Sequence, residues 1–355
     1  PPEFNKKFYE SVCALIVNNK GDDINASLAE ALKRRFRSSS MNLCQTQALP
    51  MMNVPEMMVE LKDEYKNIRA KKTTRVIPVP LALRDQTQKD LDNAVRMGIL
   101  EEVSGKNKNE LGLAPMIVNR FCKRSAEATL DTQRMATAVP VPEKGKEIFF
   151  SCMDAWNGYH SIPLHESAKN YFGFLSEYGT FRYNVAPQGF LGSGDWYVAQ
   201  YNTIMGKLLA EKKKDENSVF KCFTDTKGKN WSSPAWRRCI DDTLIWSSSL
   251  EQSFIQCAKY LTFCGTEGII FNPKKLEIGK KQVNIFGFRM SQTGVLPSEN
   301  QVESMSRYPT PKNLRDMRGF MGLVNQTTFC LSNDSRKLME NLKDTLKSTK
   351  QWAWS

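Results

Sequence analysis

The stretch Arg237-Arg238-Cys239-Ile240-Asp241-Asp242-Thr243-Leu244-Ile245-Trp246 constrains this chain more than any other. Two adjacent carboxylates have strand-forming residues on both sides, which predicts a hairpin carrying both acids at its tip. Crowded carboxylates raise each other's pKa unless a cation neutralises them. The pattern therefore has two readings, a cation-binding tip or a solvated acidic turn. For an isolated Asp-Asp pair the solvated turn is the commoner outcome. The chain holds its own example in Asp22-Asp23, cut off from the preceding apolar run by Asn18-Asn19-Lys20-Gly21 and read as a polar loop.

A third carboxylate separates the two pairs. The apolar run Ile148 to Met153 predicts a buried strand that ends on Asp154. Three carboxylates from two strands can hold two divalent ions about 4 Å apart, an arrangement that clamps the attacking and leaving oxygens of a phosphoryl transfer. All-oxygen ligands suit Mg²⁺, with Mn²⁺ as a substitute, and leave room for waters and substrate phosphates.

Asp154 with Tyr159 five residues on, then Ala186-Pro187-Gln188-Gly189, Cys239-Ile240-Asp241-Asp242 and Phe286-Gly287-Phe288, follow one another in that order. Together they resemble the polymerase motifs of reverse transcriptases, most of all those of gypsy-like long-terminal-repeat retrotransposons. The resemblance runs from about Lys72 to the C-terminus, and Arg307 to Asn325 is similar to the family's thumb. It implies an α+β fold, a right-hand polymerase of fingers, palm and thumb with a ferredoxin-like palm sheet. The implied division is an N-terminal helical extension over 1–72, fingers over 73–150 and 165–186, palm over 151–164 and 187–296, and thumb with the start of a connection over 297–355.

The resemblance also implies an activity: RNA-directed and DNA-directed DNA polymerisation, extending a primer 3′-hydroxyl with dNTPs. Asp154 and Asp241 would ligate two Mg²⁺ with Asp242 in support, and Lys275 would protonate the departing pyrophosphate. Arg120, Lys123 and Arg124 are the candidates to cover the triphosphate, since its oxygens need compact or forked cations. Tyr159 would lie under the sugar and exclude a 2′-hydroxyl, Gln188-Gly189 would face the nucleotide and template base, and Phe286-Gly287 would grip the primer end. Each has a plainer reading beside it: a surface lysine, a core aromatic, a strand-to-helix turn. The implied partners are an RNA template, a DNA primer, their RNA–DNA hybrid and dNTPs, with a homodimer or other polyprotein products possible and no membrane. The implied location is the cytoplasm, there within virus-like particles, or the nucleus.

Two positions depart from the family pattern. Glu127 stands where relatives carry an Arg four residues ahead of the position of Asp131, so either a neighbour substitutes or nucleotide binding is impaired. Cys239 stands where many relatives have Tyr, which should alter primer contacts more than catalysis. Glu127 favours a rival reading, a scaffold that binds nucleic acid without catalysis; a ribonucleotide polymerase is the other rival.

Composition narrows the partners. Against 38 acidic residues stand 50 basic ones, a formal charge of +12, which suits a polyanion because each Lys or Arg on a phosphate releases counterions. No apolar run reaches 18 residues. Nine cysteines without a Cys-x-x-Cys pair, and only His160 and His165, argue against zinc and a disulfide scaffold. The Asn-x-Ser/Thr matches at Asn25, Asn230, Asn325 and Asn333 read as chance. No ribonuclease H constellation is present, so that activity is not expected.

Local patterns predict helices over Ala26 to Arg37, Asn53 to about Ile68, Asp85 (as cap) to Met97, about Ser193 to Lys207, and Phe254 to Leu261, with Gln45 to Asn53 as a linker. A strand is expected over Ala114 to Phe121, a hairpin through Glu177-Tyr178-Gly179, and a surface loop over Lys212 to Trp236. Beyond Pro309-Thr310-Pro311, Leu314, Met317, Met321 and Val324 fall at helical spacing, with Gly319 and Gly322 opposite them for close approach to a duplex or for tight packing.

Overall fold

The computed structural model describes residues 11, 14, 24–43, 47–65, 76, 78–103, 136–139, 141–142, 144–156, 158–212 and 236–347. In chain order the longer elements are α1 (Ile24–Phe36), α2 (Arg84–Arg96), β1 (Leu100–Glu102), β2 (Phe149–Asp154), β3 (Gly173–Ser176), β4 (Gly179–Tyr183), α3 (Leu191–Lys212), β5 (Trp236–Cys239) and β6 (Asp242–Ser247). They continue with α4 (Leu250–Thr266), β7 (Glu277–Lys280), β8 (Gln282–Ile285), β9 (Phe288–Ser291), β10 (Gly294–Pro297), α5 (Glu299–Ser306), α6 (Leu314–Asn325) and α7 (Asn333–Lys347).

The central sheet runs β5-β6-β2-β7, with every neighbouring pair antiparallel. With α3 between β2 and β5, and α4 between β6 and β7, this is the β-α-β-β-α-β ferredoxin-like arrangement expected of the palm. Its middle strand explains the apolar run in the sequence. Phe149 to Met153 of β2 are all buried, because both faces of the sheet are covered.

On one face, Met153, Ile245 and Ile278 join a core that includes Leu28 and Leu32 of α1, Tyr197 and Tyr201 of α3, and Phe254 and Leu261 of α4. On the other, Phe150, Cys152, Leu244 and Trp246 pack on Val283, Ile285, Phe288 and Met290 of the meander β8-β9-β10. Alternate residues of β2 therefore serve different cores, as a period of two requires. Helix α4 buries Phe254, Cys257, Ala258 and Leu261 on one stripe, and the Ser249 hydroxyl caps it by accepting from the Gln252 amide.

The third sheet, β1-β4-β3, joins the hairpin β3–β4, inserted between β2 and α3, to β1 from ahead of β2. Arg182 ties it to the chain beside it, donating to Asn170 Oδ1 at 2.8 Å and pairing with Glu101 and with Glu166, the latter at 2.7 Å. In the C-terminal part, Met317, Met321 and Val324 of α6 bury against Met339 of α7. A Cβ on Gly319 would lie 2.6 Å from the Tyr308 hydroxyl, whereas one on Gly322 would meet open space. Tight packing thus accounts for Gly319.

Three expectations are corrected. Residues 53–62 form no helix, and among the described residues the helical turn nearby is the 3₁₀ segment Asp63–Tyr65. Met57 bridges Leu164 in parallel, its amide donating to Pro163 and its carbonyl accepting from His165, so tertiary pairing overrides local helical spacing. Leu49 and Met52 are buried and bonded to Met97 and Ser161, so this stretch is packed chain and not a linker. Asp85 is not the cap of α2 but lies in its first turn, where a carboxylate faces the helix dipole; Leu83 holds the cap position without a side-chain bond.

The expected strand over 114–121, Asp22-Asp23, Asn230 and residues 213–235 of the expected loop lie outside the described residues. Among the described residues no helix is long and apolar enough to cross a membrane.

Candidate active site

The predicted hairpin forms with a two-residue tip. Cys239 pairs with Asp242, leaving Ile240 and Asp241 as the link between β5 and β6. Ile240 adopts φ +54°, a left-handed conformation that β-branched residues avoid. Register then brings the acids together: Asp242 stands directly opposite Asp154 across β2 and β6. The Ala155 amide donates to the Asp241 carbonyl at 2.8 Å, fixing the tip against the end of β2.

The three carboxylates feel one another. Burial, then the charge of Asp154, raise Asp241 to about 6, and Asp242 is raised for the same two reasons. Lys275, on a 3₁₀ turn over Pro273–Lys275, brings its ammonium 2.7 Å from Asp154 Oδ2, a contact that raises the lysine's own pKa. Asp241 Oδ1 is buried, and the Tyr197 hydroxyl is the side-chain donor that faces the Asp241 carboxylate.

Among the described residues no three His, Cys, Asp or Glu side chains form a ready-made metal cage. A Mg²⁺ site does not require one, since that ion uses one or two carboxylates and takes the rest of its shell from water and phosphate. Mutual charge repulsion, a buried carboxylate oxygen and an all-oxygen donor set fit such an ion. Lys275 supplies a counter-charge to Asp154.

Tyr159 lies on the 3₁₀ turn Gly158–Ser161. Burial and the Asp241 charge raise its pKa, and its ring meets Tyr197 edge-on at 5.6 Å. Gly158 is held to a hydrogen by sterics, since a Cβ would lie 2.5 Å from Asp241 Oδ1 and 2.8 Å from the Tyr197 hydroxyl. Gln188 and Gly189 are exposed just before α3, with Gly189 at φ +87°; Ser193 of that helix donates to the Pro187 carbonyl at 2.8 Å. Phe286 and Gly287 form the tip of the β8–β9 hairpin, where Ile285 pairs with Phe288, and both have left-handed φ.

Asp154, Asp241, Asp242, Lys275 and Tyr159 therefore converge. The tip at Phe286-Gly287 belongs to a hairpin on the sheet's other face. Arg120, Lys123, Arg124, Glu127 and Asp131 lie outside the described residues.

Sequence reading missed what lies behind the tip. Arg238 is only 8% exposed; its guanidinium sits 3.7 Å from the Tyr201 ring centroid and donates to the Ile240 carbonyl at 2.5 Å and to Asn202 Oδ1 at 3.0 Å. The one sequence signal was an arginine at an inward-facing strand position.

Comparison with known proteins points to one family. The family model described as "Reverse transcriptase (RNA-dependent DNA polymerase)" matches residues 89–290. The "Transposon Tf2-3 polyprotein" of Schizosaccharomyces pombe is 22% identical over 312 residues, covering 84% of this chain and 21% of the polyprotein. The "Putative enzymatic polyprotein" of Cassava vein mosaic virus is 21% identical over 319 residues, covering 84% of this chain and 44% of its own length. This chain thus spans less than half of these relatives. Among solved structures, the foamy viral protease-reverse transcriptase in complex with RNA/DNA hybrid aligns with TM-score 0.65 at 14% identity, over 99% of this chain and 45% of that one. A dRH form in complex with ds DNA aligns with TM-score 0.67 at 15% identity, over 99% and 57%.

Proposed function

The chain belongs to the reverse transcriptase family, and from that premise we propose that it extends a primer 3′-hydroxyl with dNTPs, copying RNA or DNA by two-metal phosphoryl transfer. The observation that carries this reading is the register of β2 against β6, which sets Asp154 opposite Asp242 with Asp241 on the adjoining tip. Asp154 and Asp241 would hold two Mg²⁺ and Asp242 would support them. Bound there, the ions supply Lewis-acid stabilisation of the charge that develops on the transferring phosphate and lower the pKa of the attacking hydroxyl.

In the reaction the primer oxygen bonds to the α-phosphate as the bond to the β-phosphate breaks. Lys275 is exposed beside Asp154, where a lysine can give a proton to the departing pyrophosphate. Tyr159, beside Asp241, would pack beneath the sugar and disfavour a 2′-hydroxyl. Gln188 and Gly189 offer an amide and an approachable backbone to the incoming nucleotide, and the tip at Phe286-Gly287 is assigned to the primer end. Arg120, Lys123 and Arg124 complete the reading as cover for the triphosphate.

The partners proposed are an RNA template, a DNA primer and their hybrid. The formal charge of +12 supports a polyanion, and the structural relatives in complex with RNA/DNA hybrid and ds DNA point the same way. The test is extension of a DNA primer on an RNA template with Mg²⁺ and dNTPs, comparing wild type with Asp241→Asn. Wild-type extension with a loss of about 10³-fold or more in the variant is expected, because the substitution removes a ligand charge. Comparable rates from both proteins would sink the metal assignment. Binding of the hybrid by both without extension would replace the polymerase with a scaffold.

A further inference from the structure

We propose that Arg238 is the positioning residue of this site, holding Asp241 in place by clamping the strained Ile240 turn from behind. The inference rests on the polymerase reading for its catalytic consequence and on geometry alone for its structural one.

A buried guanidinium is expensive to desolvate and is ordinarily matched to a carboxylate. Among the described residues no carboxylate lies within ion-pair distance of Arg238. Its charge reaches the Asp241 carboxylate without pairing with it, and its close contacts are directional and neutral: one arm to the Ile240 carbonyl, the other to Asn202 Oδ1, and its flat face on the Tyr201 ring at 3.7 Å, with Tyr197 further off at 5.9 Å. Asn202 and Tyr201 belong to α3, which packs on the palm sheet. The arginine thus bridges a rigid helix to the one peptide whose orientation decides where Asp241 points.

That peptide needs holding. Ile240 at φ +54° occupies a conformation that costs a non-glycine residue and persists only where its surroundings over-determine it. The Ile240 carbonyl, fixed by Arg238, and the Asp241 carbonyl, fixed by the Ala155 amide, are consecutive. Together they lock both peptides on either side of the Asp241 Cα. A planar fork reaches a carbonyl and an amide oxygen with separate nitrogens while its face stacks on a ring; an ammonium has three donors, but all on one nitrogen and with no flat face to stack.

The test compares Arg238→Lys, Arg238→Gln and Asn202→Ala with wild type in three measurements. These are kcat and dNTP KM in primer extension, Mg²⁺ affinity by calorimetry without substrate, and the melting temperature. Expected for Arg238→Lys and Arg238→Gln is a fall in kcat of about 10- to 100-fold, since misplacement of a reacting group by about 1 Å has that effect. The dNTP KM should change less than threefold, and Mg²⁺ affinity should weaken several-fold. Asn202→Ala, which removes one arm's anchor and leaves the charge, should show the same split at a smaller size.

Unchanged kcat and Mg²⁺ affinity in all three variants would overturn the assignment. So would a loss fully accounted for by the unfolded fraction at the assay temperature. Full rescue by Lys would also overturn it, because charge and not the fork would then be what matters. A wild type that binds Mg²⁺ yet extends no primer counts against the polymerase reading alone, and the Mg²⁺ comparison then decides the role of Arg238.

Discussion

The β5–β6 and β8–β9 hairpins have the same loop length and opposite ways of tolerating it. Both are closed by two residues, and among the described residues their first loop positions, Ile240 and Phe286, are the only non-glycines with left-handed φ. At Phe286 the strain is shared with Gly287, whose φ of +83° suits a residue without Cβ, so the tip follows the pattern with two positive φ angles that right-twisted strands favour. At Ile240 there is no glycine; the second position is Asp241, and the turn is held by a buried arginine and a neighbouring amide instead. A tip that only has to shape backbone can use glycine. One that has to aim a carboxylate cannot, and the restraint moves to the side chains around it.

Four substitutions or conditions sharpen that contrast. The largest effect is expected from Gly158→Ala, whose new Cβ falls 2.5 Å from Asp241 Oδ1 and must push the carboxylate or Tyr197 aside. Primer extension should drop about 100-fold, and retention of more than a third of the wild-type rate would show that the Asp241 tip yields as easily as the other. Gly287→Ala comes next. Its Cβ meets only the flexible end of Gln301, at 2.9 Å, so the penalty is chiefly conformational, roughly 1–2 kcal/mol by denaturant unfolding, with extension reduced less than tenfold.

The third concerns pH. Asp241 is raised to about 6 in the metal-free fold, above its value in the unfolded chain. The folded state therefore holds the proton more tightly. The stability this gives is full below about pH 4 and lost as pH rises through 6. In a chelator, the melting temperature of wild type should fall across that window relative to Asp241→Asn, by the equivalent of about 1–2 kcal/mol after allowing for partial exposure. Parallel curves would mean the carboxylates do not strain the metal-free site. The smallest effect belongs to Ile240→Gly. Relief of about 1–2 kcal/mol of backbone strain offsets lost packing of a half-buried side chain, leaving stability within about 1 kcal/mol of wild type while extension falls several-fold as the turn loses its fixed shape.

What could be read from the sequence follows from these physical differences. The β2 run and the β5–β6 tip were legible because burial on both faces writes a continuous apolar segment and a tight turn writes itself in adjacent residues. The stripe of α4 was legible at period 3.6. The register of Asp154 against Asp242 followed only from resemblance, since nothing local encodes which strands pair. The Arg238 clamp was invisible, because its meaning lies in Tyr201 and Asn202 of a helix earlier in the chain. Met57 was misread for the same reason: its Asn-Pro opening and apolar spacing look helical, and only Leu164 makes it extended.

The strand register has a further consequence, for biosynthesis. Asp154 and Asp242 face each other across adjacent strands, but the chain between them must first lay down the β3–β4 hairpin and a helix of 22 residues. Their meeting closes a long loop, which is entropically slow and late in folding. A nascent chain therefore carries none of this chemistry until β6 docks on β2. Catalytic competence should then arrive in a single step, concurrent with protection of the central strand from hydrogen exchange.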